Sequence, residues 1–182
     1  MSEYRRWREP GATYFFTVVT DRRRPLFTDP LARKLLRHAL AFTRRRLPFE
    51  LWATVLLPDH MHCIWKLPNG DDDFSTRWSM LKRTFSKEWR RLGGDLSPVS
   101  ASRRDHRELG VWQRRFWEHL IRDERELYAY RDYIHLNPVK HGYVAEPHQW
   151  PWSSVHRHLS LGWLQPDWTA NPLVNVDVRG EV

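Results

Sequence analysis

The chain has 182 residues, with 30 Lys and Arg against 22 Asp and Glu for a formal net charge of +8, and at about 150 residues per domain it reads as one domain over 1–161 with a tail over 162–182. No run approaches the ~18 apolar residues of a membrane span. The start, Met1-Ser2-Glu3-Tyr4-Arg5-Arg6-Trp7-Arg8, has no apolar block to make it a secretory signal. Lone Cys63 excludes an intramolecular disulfide and a thiol zinc site, so a soluble protein of the reducing cytoplasm is expected. The basic residues are 25 arginines and 5 lysines, and 14% of the chain is aromatic. That mixture suits nucleic acid, because guanidinium pairs with phosphate in bidentate fashion and aromatic faces stack on bases.

In chain order, Tyr14-Phe15-Phe16-Thr17-Val18-Val19-Thr20 is aromatic and β-branched and predicts a strand. Asp29-Pro30 opens a helix carrying Leu31, Leu35, Ala39 and Phe42 at helical spacing, with Arg44-Arg45-Arg46 at its negative end. Leu51–Leu57 and His60–Leu67 predict two strands around the turn Pro58-Asp59. Phe74, Trp78, Leu81, Phe85, Trp89 and Leu92 form one apolar helical stripe that Gly93-Gly94 ends; Asp71-Asp72-Asp73 at its start resembles a metal site but reads better as negative charge and caps. Residues 95–110 read as a surface loop, Val111–Ile121 as a fourth strand, and Asp123–Asn137 as a last helix stopped by Pro138. The order β-α-β-β-α-β-α predicts an α+β, ferredoxin-like (split βαβ) antiparallel sheet with two helices on one face and the other face open.

Chemistry concentrates in Pro58-Asp59-His60-Met61-His62-Cys63-Ile64-Trp65. Alternate strand residues share a face, so His60 and His62 project together while Met61, Cys63, Trp65 and Leu67 meet the helices. Two imidazoles side by side suit a metal chelate, although a histidine pair taken alone is more often exposed or satisfied within a core. A cupin needs a downstream carboxylate that Cys63–Leu67 lacks, and an amidohydrolase barrel needs about 250 residues. The second piece is Tyr133-Ile134-His135-Leu136-Asn137-Pro138, in which Tyr133 and Asn137 stand i, i+4 on one helix face. A phenol can attack phosphorus when a cation neutralises the phosphate, and an Asn oxygen suits a hard cation. On spacing alone Tyr133 is more often a packed aromatic and Asn137 a helix terminator, and Tyr130 is no worse a nucleophile.

The whole chain from Tyr4-Arg5-Arg6 to about Trp168 resembles the REP-associated tyrosine transposases, which are single-tyrosine HUH transposases related to the small insertion-sequence transposases. The resemblance rests on Tyr14–Val18, Leu57–Trp65, Asp71–Trp78, Trp112-Gln113-Arg114-Arg115-Phe116-Trp117-Glu118-His119, Asp132–Lys140 and Trp150-Pro151-Trp152-Ser153-Ser154. It implies that His60, His62 and Asn137 bind Mg²⁺ or Mn²⁺ and that Tyr133, on a C-terminal catalytic helix, attacks a single-stranded DNA phosphodiester. The implied product is a 5′-phosphotyrosine link and a free 3′-hydroxyl. The implied substrates are REP hairpin palindromes, with Arg103-Arg104 and Arg114-Arg115 fitting phosphate contacts.

The same resemblance implies a nucleoid-associated bacterial protein without membrane contact, acting as a monomer, with the dimer of the insertion-sequence relatives as the alternative. His135 stands where the family frequently has an aromatic and reads as a bystander on another helix face. The tail after Gly162 is expected to fold over the site. Three other functions stay open: an idle hairpin-binding module, a replication- or relaxase-type nickase, and an RNA-binding domain using Tyr14, Phe16 and Trp65. The last leaves the histidine pair and Tyr133 unexplained.

Overall fold

The computed structural model describes residues 8–165, 167–168 and 176. Along the chain run β1 (Thr13–Val19), α1 (Pro30–Arg46), β2 (Glu50–Leu56), β3 (His60–Lys66), α2 (Phe74–Arg91), α3 (Ala101–Asp105), β4 (Trp117–Ile121), α4 (Glu124–Lys140) and α5 (Val155–Ser160). The four strands form one sheet in the order β2-β3-β1-β4, with every neighbouring pair antiparallel. This is the order expected of a split βαβ fold, with β3 and β1 at the centre.

Strand alternation sends Tyr14, Phe16 and Val18 of β1 and Met61, Cys63 and Trp65 of β3 to one face, where α1 and α2 cover them. The helices form there for local reasons. Asp29 accepts from the Leu31 amide beneath Pro30, and Asp73 accepts from the Thr76 amide at the start of α2. The apolar stripe of α2 lies in this core from Phe74 to Trp89, while Leu92, just past the helix end, is exposed; Trp65 stacks on Trp78 at 4.2 Å. Asp71 does more than supply helix-end charge: its carboxylate takes both terminal nitrogens of the buried Arg77 guanidinium.

The other face is not open. Phe15, Ala53, Val55, Ile64 and Ile121 make it apolar, and Tyr130, Tyr133 and Ile134 of α4 pack on it with Trp150. Six of the seven residues of β3 are therefore buried, on both faces. Leaving this second apolar patch in water would cost about 25 cal/mol for each Å² exposed, which is why α4 covers it.

Three further boundaries differ from the sequence reading. The ladder of β4 starts at Trp117 rather than Val111. Upstream, Trp112 makes only an isolated bridge to Thr20 and turns its ring onto Phe27 and Phe85 in the helix layer. The 95–110 segment contains the short helix α3, and Arg103 pins it to Asp21, Glu108 and the Trp112 carbonyl. Finally, α4 continues through Pro138 to Lys140. Proline there forfeits one amide bond, and the helix ends instead at Gly142, whose φ of 71° suits a left-handed terminator. The Gly142 amide bonds the Val139 carbonyl and the Tyr143 amide bonds the Pro138 carbonyl, the paired bonds of a Schellman ending.

Beyond Gly162, Leu164 is buried and Val176 packs against the core cluster that holds Tyr133. The rest of the expected tail lies outside the described residues. No helix among the described residues is long and apolar enough to cross a membrane.

Candidate active site

The site forms where β3 runs between β1 and β2 under α4. The register sets Val19 opposite His60 and Thr17 opposite His62, so both histidines point to the α4 face. Their ring centroids are 4.8 Å apart, and both residues are buried. Each ring is held through Nδ1. His60 Nδ1 lies 2.5 Å from Asp59 Oδ1, and Asp59 Oδ2 accepts from Arg23 Nη1 at 2.9 Å. His62 Nδ1 lies 2.9 Å from Thr17 Oγ1. The Nε2 atoms of both rings are buried, and that of His60 meets no hydrogen-bond partner among the described residues. Burial alone would raise the Asp59 carboxyl, but the hydrogen bonds and charges of His60 and Arg23 outweigh it and hold the group below its ordinary value.

Helix α4 brings Tyr133 over this pair. Its ring lies edge-on to His62 at 5.4 Å and to Phe15 at 5.9 Å. Phe15 in turn stacks along His62 at 5.4 Å, so one core aromatic sets the positions of both. Tyr130 points elsewhere, with its ring 4.6 Å from Phe15 and 4.8 Å from His119 of β4. Geometry thus separates two tyrosines that spacing left equivalent. Asn137, one turn beyond Tyr133, is fully buried on α4. At the same end of α4, Lys140 Nζ stands 5.2 Å from the Tyr133 ring, and the His141 ring is 5.5 Å from His60.

His135 faces away from the histidine pair, toward α5. Its Nε2 lies 3.2 Å from Ser154 Oγ and its ring 4.8 Å from His158. Burial first, then the charges of His158, Arg131, Arg157 and His156, push its pKa well below the ordinary imidazole value. Of the arginines singled out for phosphate, Arg103 is committed to Asp21 and Glu108; Arg104, Arg114 and Arg115 are exposed, with Arg104 bonded to the Val99 carbonyl and Arg114 paired with Glu108 at 3.3 Å.

Sequence reasoning did not find Asp59, Arg23, Thr17, Phe15, Lys140 or His141. Asp59 carried a signal, a carboxylate directly before the histidine pair, but it read as a turn residue. Arg23 carried none, because it reaches Asp59 across 36 residues of chain.

A ferredoxin-like antiparallel sheet with paired histidines on a central strand, roofed by a helix whose tyrosine packs on one of them, defines the class: a sheet-and-helix tyrosine site. No protein-family model matches the chain. Individual proteins do. The REP-associated tyrosine transposase of Escherichia coli (strain K12) is 42% identical over 172 residues, which is 94% of this chain and 93% of that one. A Haemophilus influenzae relative bearing the same family's name is 42% identical over 183 residues, 100% of both chains. The solved structure of a REP-associated tyrosine transposase bound to a REP hairpin matches with a TM-score of 0.81 and 42% identity, covering 100% of this chain and 98% of that one. The chain belongs to the REP-associated tyrosine transposase family, and its activity is that of a transposase.

Proposed function

We propose that this transposase binds REP-type hairpin DNA at the nucleoid and cleaves and rejoins the adjoining single strand through a covalent link to Tyr133. The observation that supports the reading best is the packing of the Tyr133 ring on His62, beside a His60 whose buried Nε2 has no partner among the described residues. A buried ring nitrogen without a partner is costly unless something outside the protein completes it. His60, His62 and Asn137 offer two imidazoles and a neutral oxygen, a donor set that fits Mg²⁺ or Mn²⁺. Asn137 is the third protein donor in this reading because the family resemblance places it there, and it is buried on α4 one turn beyond Tyr133. A divalent cation held there would supply charge neutralisation and polarisation of a phosphate oxygen.

The chain's own residues do the rest. Tyr133 Oη attacks the phosphorus, a new O–P bond forms, and the bond to the 3′-oxygen breaks. The downstream strand is left as a 5′-phosphotyrosine ester, and the 3′-oxygen departs with the proton the phenol gives up. One phosphodiester replaces another, so the step is close to balanced and reverses on a second 3′-hydroxyl. Lys140 places positive charge beside the Tyr133 ring, 5.2 Å from its centroid. Phe15 holds the phenol ring and the His62 ring in one arrangement, which is worth more to the rate than to the affinity. One chain supplies all four site residues, so the reading needs only a monomer.

The test is a denaturing gel of a labelled single-stranded hairpin oligonucleotide of REP type, incubated with Mn²⁺, Mg²⁺ or EDTA. A metal-dependent, slow-migrating adduct carrying the 3′ fragment is expected with the wild type and with Tyr130→Phe, and none with Tyr133→Phe or His60→Ala. Tight hairpin binding without an adduct under any metal would replace this reading with an idle binding module.

A further inference from the structure

The two histidines of the pair are held differently. His62 leans on a neutral hydroxyl, Thr17 Oγ1, whereas His60 leans on a carboxylate that is itself held by a guanidinium. Resting on the metal reading above, we infer that Asp59, fixed by Arg23, is the positioning residue of the site: it sets the tautomer and the direction of His60 so that Nε2 presents its lone pair to the cation.

A neutral imidazole has one donor nitrogen and one acceptor nitrogen, and the hydrogen bond at one fixes the role of the other. An ionised carboxylate only accepts, so the proton of His60 sits on Nδ1 and faces Asp59. Nε2 is then an acceptor, buried with no hydrogen-bond partner among the described residues. That arrangement wastes a buried lone pair unless a cation takes it. A carboxylate behind a metal-binding imidazole also raises its basicity, and losing such a partner typically costs 10–100-fold in metal affinity.

Asp59 is itself built into place from three sides. Its backbone carbonyl accepts from the Thr20 amide at 2.8 Å, and Thr20 Oγ1 lies 2.9 Å from the same oxygen. Its second carboxylate oxygen takes Arg23. The turn that brings Arg23 there is strained, with Arg22 at φ 55° and Arg23 at φ 51°. Two consecutive non-glycine residues in the left-handed region are uncommon, because Cβ crowds the following carbonyl oxygen there. The surrounding contacts hold this conformation in place: the Asp21 amide bonds the Val111 carbonyl at 2.8 Å, and Arg24 donates to the Gly110 carbonyl at 3.2 Å. Strain that a scaffold maintains at a site is commonly part of what the site does. Here its result is one guanidinium laid over the carboxylate that aims His60.

The experiment measures Mn²⁺ binding to the full chain by electron paramagnetic resonance of the free ion, beside hairpin affinity in EDTA. Asp59→Asn is expected to weaken Mn²⁺ by about 10–100-fold, Arg23→Gln by a smaller factor, and Thr17→Val least. Hairpin affinity in EDTA stays within twofold of wild type for all three, a readout that a merely structural role would not spare. Asp59→Glu, which keeps the charge, recovers part of the affinity. If Asp59→Asn binds Mn²⁺ as the wild type does while His60→Ala loses it, the positioning role is overturned and the metal reading stands. If the wild type binds no Mn²⁺, or His60→Ala binds it unchanged, both fall. Should Asp59→Asn fail to fold, Arg23→Gln decides: wild-type Mn²⁺ affinity there removes the guanidinium from the relay.

Discussion

Phe15 shows how one residue without chemistry of its own bears on the site. It is fully buried, and its ring touches those of His62, Tyr130, Tyr133 and Trp117. A Leu there keeps most of the volume and is expected to cost under about 1.5 kcal/mol in stability. It lacks the flat face that fixes Tyr133 against His62, however, and small misplacements of a reacting group are expensive in rate. Phe15→Leu should therefore melt close to wild type and bind the hairpin with unchanged affinity, yet form the covalent adduct at least about tenfold more slowly in single-turnover gels. An unchanged adduct rate would show that α4 alone positions the phenol.

At the scale of elements, the junction before α2 depends on one ion pair. Arg77 is nearly fully buried while Asp71 is about one-third exposed, with side-chain exposures of 2% and 34%. The Arg77 hydrogen bond outweighs burial and lowers the Asp71 carboxyl below its ordinary value. A carboxylate with a depressed folded pKa stabilises the protein above its unfolded pKa of about 3.9, and that stability is lost as pH falls through the folded value. Asp71→Asn leaves a buried guanidinium without its counter-ion. It should cost about 2–3 kcal/mol near neutral pH, less than the 3–5 of a fully buried pair because water screens Asp71. Denaturant melts between pH 6 and 2 check this, since the gap between wild type and Asp71→Asn should narrow only below about pH 4. Elements such as α2 were legible because their pattern is local: a stripe with a period near 3.6, an acidic cap and a terminal glycine pair. Strand alternation put His60 and His62 on one face, and helical spacing put Tyr133 and Asn137 on another, but their roles, and Tyr133 over Tyr130, came only from the family resemblance. The end of α4 was misplaced because Pro138 outweighed Gly142, although proline near a helix end removes only one bond. The closed second face and the Arg23–Asp59 link depend on which elements meet in space, and no local period encodes that.

Over the whole molecule, the charge of +8 overstates what is available to a polyanion. Several arginines are turned inward: Arg77 holds Asp71, Arg103 holds Asp21 and Glu108, Arg23 holds Asp59, and Arg24 bonds the Gly110 carbonyl. These serve the fold, so arginine content cannot be converted into phosphate contacts one for one. Arg115 differs. It is exposed, and it precedes β4, whose Trp117 ring contacts Phe15, the residue that touches both His62 and Tyr133. A strand delivered to Tyr133 along this edge would pass Arg115. Each phosphate neutralised releases counterions and contributes about 0.7–0.9 to the slope of log affinity against log salt. Arg115→Ala should therefore weaken hairpin binding and flatten that slope by close to one contact's worth, measured from 50 to 300 mM salt, without shifting the melting temperature. Arg77→Gln should do the reverse, lowering stability and leaving the slope of the folded fraction unchanged. An unaltered slope in Arg115→Ala would show that Arg115 neutralises no phosphate and that the DNA does not run along this edge.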